Sequence, residues 1–292
     1  MIGFTQYKIL GDVVSAEKIK PEDYWRLLGE LEVEAINNSF HILRKLDLLA
    51  EKCMTLALKS PFLKGNRSGS YSLSIAALFL KRAMSDFRGA WLLLNWGYPY
   101  QAACVVASLY EHASIVNCIC DRDDLAKVAI SGKDGDIPWK PVQLAKMCAQ
   151  KDLFGEIKHK NPEGDIFDNA WRAEYHNYKL LCKMKHPTMQ QLQDEASMTL
   201  TDKGQFVVAA RPDNRQDSLG LKQLIMVIAI MKLISATKNF AKATDCNADE
   251  DGKVFFEEKL FVFYQELTDF IKGSEVAKAK IHVYGYSFFE KG

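Results

Sequence analysis

The chain has 292 residues, of which 48% are apolar and 26% charged, so it is long enough for a sizeable core and has an ordinary globular balance. Its net charge of +1 provides no global field to attract nucleic acid or anionic lipid, and phosphate binding would need a local patch. The seven cysteines are an odd number and lie mostly among apolar residues, which indicates free buried thiols in a reducing compartment. Cys118 and Cys120 lack a second pair at zinc-finger spacing, so we predict no metal cofactor there and no cofactor elsewhere.

The N-terminal residues show no basic start followed by an apolar block, so we predict no signal peptide and a cytoplasmic protein. The segment from Gly89 to Tyr110 carries no formal charge but is interrupted at Gly97-Tyr98-Pro99. The apolar run from Leu224 to Met231 is eight residues long and lies between two lysines. A membrane span needs roughly 20 apolar residues, so both segments are predicted to be buried core helices, and no membrane partner is expected.

Apolar residues recur at helical spacing along most of the chain, and the helices are separated by segments rich in Gly, Pro and Ser. In chain order the predicted helices are Pro21 to Ser60, Tyr71 to Trp96, Pro99 to Ile130, Pro141 to Gln150, Ile166 to His186, Asp217 to Ala243 and Val254 to Ile271. We refer to Pro99 to Ile130 as the third predicted helix and to Ile166 to His186 as the fifth. Pro187 ends the fifth because the residue before a proline is kept from helical angles.

One segment has a different pattern. Met198 to Leu200 and Phe206 to Ala210 hold β-favouring residues around the turn residues Thr201 to Gly204, so we predict a small β-hairpin at 198–210. The fold class is therefore mainly all-α: a multi-helix up-and-down bundle forming a single domain over 1–292. The hairpin is an insertion in it, and residues 274–292 are an unassigned C-terminal tail.

The fifth predicted helix carries a ridge of cationic and titratable side chains. At about 100° per residue these side chains fall within roughly 80° of one another, with Tyr175 at the edge. They are Arg172, His176, Lys179, Lys183 and His186. Converging donors without intervening acids suit a phosphate backbone, and two histidines suit acid–base chemistry near neutral pH. The alternative is an ordinary solvent-facing helix surface.

The third predicted helix is apolar around Glu111. A buried carboxylate needs a partner because an unpaired buried charge is costly. Arg88, Arg172 and His186 are the candidate partners. The pair would either hold helices in register or tune a basic group at a site.

Residues Phe87 to Pro187 resemble an uncharacterised bacterial helical family that is itself similar to HEPN domains. The matching residues are Arg88, Gly97, Gln101, Ala102, Ser108, Leu109, Tyr110, Glu111, Tyr178, Leu181, Cys182, His186 and Pro187. The resemblance implies a helical bundle. HEPN proteins include metal-independent ribonucleases of toxin–antitoxin, abortive-infection and CRISPR defence systems, and others that bind nucleotides or partners. The HEPN ribonuclease signature places four to six residues between Arg and His, whereas Arg172 and His176 have three between them.

A second motif, from Asn247 to Glu258, resembles an EF-hand calcium loop. Asn247, Asp249 and Asp251 stand at positions one, three and five, Gly252 at the turn position and Glu258 at the bidentate position. The alternative is an acidic turn between two helices.

Three functional hypotheses follow from these residues. The first is a bacterial defence or stress module that binds a protein or nucleic acid through the ridge, with Arg88, Tyr178, Lys179 and Lys183 contacting phosphate or partner. The second is an RNase-like effector in which His176 or His186 is the acid or base, Arg172 stabilises phosphate charge and Glu111 positions one of them. The third is a nucleotide sensor with a pocket between the third and fifth predicted helices. A homodimer is also consistent with the sequence.

Overall fold

The computed structural model describes residues 7–9, 12–14, 23–132, 136–158, 162–185, 212–213, 218–245, 251–274 and 276. Within them the chain is mainly all-α, as predicted. The helices are α1 (Tyr24–Ile42), α2 (Arg44–Lys59), α3 (Tyr71–Asn95), α4 (Pro99–Ile119), α5 (Asp123–Ile130), α6 (Pro141–Phe154), α7 (Asp165–Lys185), α8 (Leu219–Ala243) and α9 (Asp251–Lys272). A 3₁₀ turn at Ser60–Phe62 follows α2.

The two strands that the structure describes form an antiparallel pair near the N-terminus, β1 (Tyr7–Ile9) and β2 (Asp12–Val14). The sequence pattern did not predict this pair. The hairpin predicted at 198–210 lies outside the described residues, as does nearly all of the predicted tail at 274–292. Both therefore stay predictions.

Two predicted helices are each divided in two. The first is broken at Leu43, whose backbone leaves the helical region at φ −96° and ψ 7°. Leu43 is buried, and no Gly or Pro marks the break, so the apolar pattern runs through it without a signal. The third predicted helix ends at Ile119 instead of Ile130. Arg122 is extended there, and α5 begins with Asp123 and Asp124, whose carboxylates favour a helix N-terminus.

α4 and α8 form the centre of the bundle. α4 packs against α3, α6, α7 and α8, while α8 also contacts α2 and α3. By length and composition both central helices could cross a membrane, but 72% of the apolar window in each is buried inside the bundle, which is typical of core helices. This agrees with the core prediction for Leu224 to Met231. α9 packs on α2 at the edge, and α1 covers α2 and α3.

The turn between α3 and α4 requires a glycine. Gly97 has φ +85°, which disfavours any side chain, and a Cβ there would lie 2.7 Å from the Cβ of Pro212. The Gly97 carbonyl accepts a hydrogen bond from the Asp213 amide at 2.7 Å. Pro99 then begins α4, at a helix position where its missing N–H costs nothing. This turn fixes how α4 enters the core.

Candidate functional site

The ridge predicted on the fifth helix lies on the exposed side of α7. Arg172, His176, Lys179 and Lys183 are all exposed, whereas Phe167, Ala170, Ala173, Asn177 and Leu181 are buried. The C-terminal part of the helix, from Tyr175 to Lys185, contains three lysines and no carboxylate. His186, the fifth member of the predicted ridge, lies outside the described residues.

The four exposed ridge residues do not have equivalent surroundings. Arg172 forms an ion pair with Asp168 at 3.2 Å, and its guanidinium lies 5.5 Å from the centre of the Trp171 ring. The ammonium of Lys179 is 5.9 Å from the Tyr175 ring. Lys183 makes no ion pair within the part of the chain that the structure describes. The lysines of the C-terminal turns are therefore the charges most available to a ligand.

Two tyrosines connect this surface to the interior. The rings of Tyr175 and Tyr178 are stacked, with centroids 6.1 Å apart and planes 17° apart. The Tyr178 hydroxyl donates a 2.6 Å hydrogen bond to Oε1 of Glu111 on α4. Burial, and then the adjacent Glu111 carboxylate, raise the pKa of Tyr178 well above its usual value, so the phenol keeps its proton. Tyr178, predicted to contact phosphate or partner, instead uses its hydroxyl inside the protein.

Glu111 therefore faces α7, but neither of its described candidate partners reaches it. Arg172 is paired with Asp168, and Arg88 lies 4.4 Å over the Trp91 ring, beside α2. The third candidate, His186, is outside the described residues. In the described residues the Glu111 carboxylate is stabilised by a neutral phenol. The structure thus joins Glu111 to Tyr178 but not to Arg88, Arg172 or His176.

A second polar cluster lies between α3 and α4. Oδ2 of Asp86 accepts hydrogen bonds from Nδ1 of His112 at 2.8 Å and from the Ser108 hydroxyl at 3.0 Å. The Asp86 and His112 side chains are only 18% and 16% exposed. A carboxylate on Nδ1 holds the neutral ring in the tautomer whose Nε2 can accept a proton. His112 is thus a histidine oriented by a carboxylate, although the sequence pattern favoured His176 and His186.

A buried charge belongs to Lys232, on the central helix α8. Its ammonium forms an ion pair with Glu174 of α7 and lies 4.1 Å over the Tyr110 ring. The Tyr110 hydroxyl donates to the Glu174 backbone carbonyl at 2.8 Å. Burial alone would lower the pKa of Lys232, but Glu174, Cys148 and Asp152 together outweigh it, and the pKa is raised. This cluster ties together α4, α7 and α8.

Sequence reasoning missed Lys232, Glu174, Asp86 and His112. For Lys232 a signal was present, since it follows an apolar run just as Glu111 stands within one. For Asp86 and His112 no signal existed, because the two residues are 26 positions apart on different helices.

The calcium motif does not form an EF-hand loop over its described half. α9 begins at Asp251, and Gly252 lies within it with no positive φ. Glu258 stands seven positions after Asp251 in the same helix, a rise of roughly 10 Å, too far for ligands of one ion. Asn247 and Asp249 lie outside the described residues. Among described residues no group of three or more His, Cys, Asp or Glu could hold a metal ion.

Two well-formed cavities are described below, and neither of them lies between α4 and α7, where the sequence predicted a nucleotide pocket. One, of about 260 Å³, is beside α6 and includes Trp139 and Lys146. The other, of about 550 Å³, lies between α2 and α3. The contact between α4 and α7 is instead filled by Tyr110, Tyr178 and the Lys232 ammonium.

Six described cysteines are free thiols, in agreement with the composition. The sulfurs of Cys118 and Cys148 are 3.9 Å apart in the interior, linking α4 to α6. No protein-family model, curated protein or solved structure matches this chain.

Proposed function

We propose that this protein is a helical binding module that holds the phosphate backbone of single-stranded nucleic acid on the exposed face of α7. The observation that carries the proposal is the run of exposed lysines at 179, 183 and 185 with no carboxylate from Tyr175 onward in the helix. Because the whole chain has a charge of only +1, this local surplus of positive charge is what would attract a polyanion.

The aromatic residues beside these lysines favour a single strand over a duplex. Tyr175 is partly exposed, is stacked on Tyr178 and lies beside the Lys179 ammonium. Proteins that bind single strands combine a basic track for the backbone with aromatic faces for the bases. An ordered tyrosine next to a lysine on an open helix provides both elements at one place.

The test is binding of a fluorescently labelled 15-nucleotide oligouridylate, followed by anisotropy at several salt concentrations. We expect the double variant Lys179→Gln/Lys183→Gln to bind at least tenfold more weakly. Each phosphate contact in a single strand contributes about 0.7 to the slope of log K against log salt, so the slope should fall by roughly 1.4.

The matched control is Lys259→Gln/Lys272→Gln on α9. Lys259 lies 5.3 Å from the Phe255 ring, as Lys179 lies beside Tyr175, and Lys272 is in the last turn of its helix. This double variant removes the same charge and should bind within twofold of the parent. Equal losses in the two double variants would show non-specific charge attraction and contradict the proposal.

RNA cleavage and nucleotide sensing stay predictions. In the described residues His176 is not joined to Glu111, and the two cavities described above lie away from the contact between α4 and α7. RNA recovered intact from the binding reactions, with and without EDTA, would argue against the ribonuclease. A thermal shift produced by nucleotides would favour the sensor.

A further inference from the structure

The cavity between α2 and α3 has features of a binding site that α7 does not share. Its volume of about 550 Å³ is within the range of small-molecule sites, roughly 300–1,000 Å³. α1, α2, α3 and the adjoining Trp96 line it, and no residue of α7 takes part. A ligand here would therefore be independent of the nucleic-acid surface.

The walls of this cavity are largely apolar and aromatic. They include Ala50, Met54, Phe87, Trp91, Leu92 and Trp96. The indole N–H of Trp91 donates to Oδ1 of Asp47 at 2.9 Å, which fixes the plane of its ring. Trp96 is 40% exposed, a large apolar surface for a side chain beside an open cavity. Such walls favour a planar aromatic ring.

The cavity also presents a guanidinium with unused donors. The Arg88 Cζ atom lies 4.4 Å from the centre of the Trp91 ring. Arg88 makes no hydrogen bond or ion pair with the residues that the structure describes. Contact with the ring occupies one face of a guanidinium and leaves its N–H donors, which lie in the plane at its edge. Those donors match a carboxylate or a phosphate.

The charges lining the cavity are Arg44, Arg88, Asp47 and Glu51. The Asp47 carboxylate repels an anionic ligand less than a free carboxylate would. It already accepts a hydrogen bond from the Trp91 indole and lies close to the positive charge of Arg44. Glu51 is exposed, where solvent screens its charge. Arg88 is consequently the charged group best placed to select a ligand.

We propose that this cavity binds a planar aromatic anion, its ring against the indoles of Trp91 and Trp96 and its acidic group on the edge of Arg88. Two sources share this chemistry, an aromatic carboxylate and a nucleoside monophosphate. The probes that distinguish them are 1-naphthoate and AMP, with 1-naphthamide as the neutral analogue of the first.

The experiment is calorimetric titration of the full chain with each probe. We expect millimolar or tighter binding of at least one anion, and binding of 1-naphthamide at least fivefold weaker than that of 1-naphthoate if the carboxylate is the preferred source. Arg88→Gln should weaken the preferred anion at least tenfold and leave 1-naphthamide within twofold. Arg88→Lys should give an intermediate loss, because it keeps the charge without the planar fork.

The control is Arg82→Gln, an exposed arginine of the same helix that does not line the cavity, and it should change no affinity more than twofold. Three results would overturn the proposal: no heat from either anion at millimolar concentration, equal anion affinity in Arg88→Gln and the parent, or equal loss of neutral and anionic probes in Arg88→Gln. The last would mean that the cavity had changed shape without any recognition of the anion.

Discussion

Glu111 and Lys232 show how a charged residue is accommodated in an apolar helix. Both needed a partner, because an uncompensated buried charge is costly. Glu111 accepts a hydrogen bond from a phenol at the edge of α7, whereas Lys232, only 6% exposed, pairs with a carboxylate and lies over an aromatic ring. The central ion pair of the bundle is therefore the one between Lys232 and Glu174. Glu174 lies one helical turn before Tyr178 on α7.

Removing one partner of this ion pair should strongly lower the stability of the folded chain. We expect Lys232→Met to lower the free energy of unfolding by about 3 kcal/mol, because it leaves Glu174 without its cation. The double variant Lys232→Met/Glu174→Leu should recover at least half of the loss, since an apolar pair of similar volume replaces both charges. Urea denaturation measures the unfolding free energy of both variants. The control is Lys242→Met, on the exposed end of α8, whose unfolding free energy should lie within about 0.5 kcal/mol of the parent's. Full stability in the single variant would contradict the structural role.

The pH dependence of this contribution follows from the raised pKa of Lys232. A lysine whose pKa is higher in the folded chain stabilises fully below its unfolded value of about 10.4 and loses that contribution as pH rises through the folded value. The difference in unfolding free energy between the parent and Lys232→Met should thus be constant from pH 6 to 9 and narrow above about pH 10.5. If the difference between the two unfolding free energies instead became smaller near pH 7, a group other than Lys232 would be responsible for its pH dependence.

The helices as elements differ in how clearly their ends are encoded. α3 ends and α4 begins at Gly97-Tyr98-Pro99, and the sequence predicted this boundary because glycine and proline each force a backbone conformation there. The break at Leu43 has no such residue and was missed, since an apolar side chain at helical spacing looks the same in a continuous helix and in a kinked pair. α7 was predicted almost to its limits, together with the row of basic residues along one of its sides, whereas the exposure of that row was left open.

The turn at Gly97 gives the sharpest test at this scale. Gly97→Ala should destabilise by about 2 kcal/mol or more, because the left-handed conformation costs roughly 1–2 kcal/mol and the added Cβ meets Pro212 at 2.7 Å. Gly155→Ala is the matched control, with φ +74° and nothing within 4 Å of the new Cβ, and should cost only the conformational part, about 1 kcal/mol. Thermal or urea unfolding compares them, and equal losses would show that the contact with Pro212 is unimportant.

For the whole molecule, the main feature is that two helices are enclosed by the others. Ile225, Val227 and Ile230 on α8 and Val106 and Leu109 on α4 are completely buried. α1 and α9, at the edges, bury one face only and expose large side chains, including Trp25 and Phe261. Stability should accordingly be uneven across the bundle.

Hydrogen exchange should report this unevenness. Amides in the middle of α4 and α8 are expected to exchange only through global unfolding. Their exchange free energy should then fall with urea as steeply as the unfolding free energy of the whole chain does. Amides of α1 and α9 should exchange through smaller openings, at least tenfold faster and with a weaker urea dependence. Equal protection across all four helices would mean that the bundle opens only as one unit.

The amino-acid sequence by itself determined the helical class, the central position of the apolar run in α8 and the alignment of basic residues along one side of α7. These features depend on periodicity and composition, which act locally along the chain. Only the tertiary structure decided which side chains meet: Tyr178 for Glu111, Glu174 for Lys232, Asp86 for His112, and Trp91 for Arg88. Partners on different helices are chosen by how the helices pack, and that depends on the fit of whole faces, which no single segment encodes.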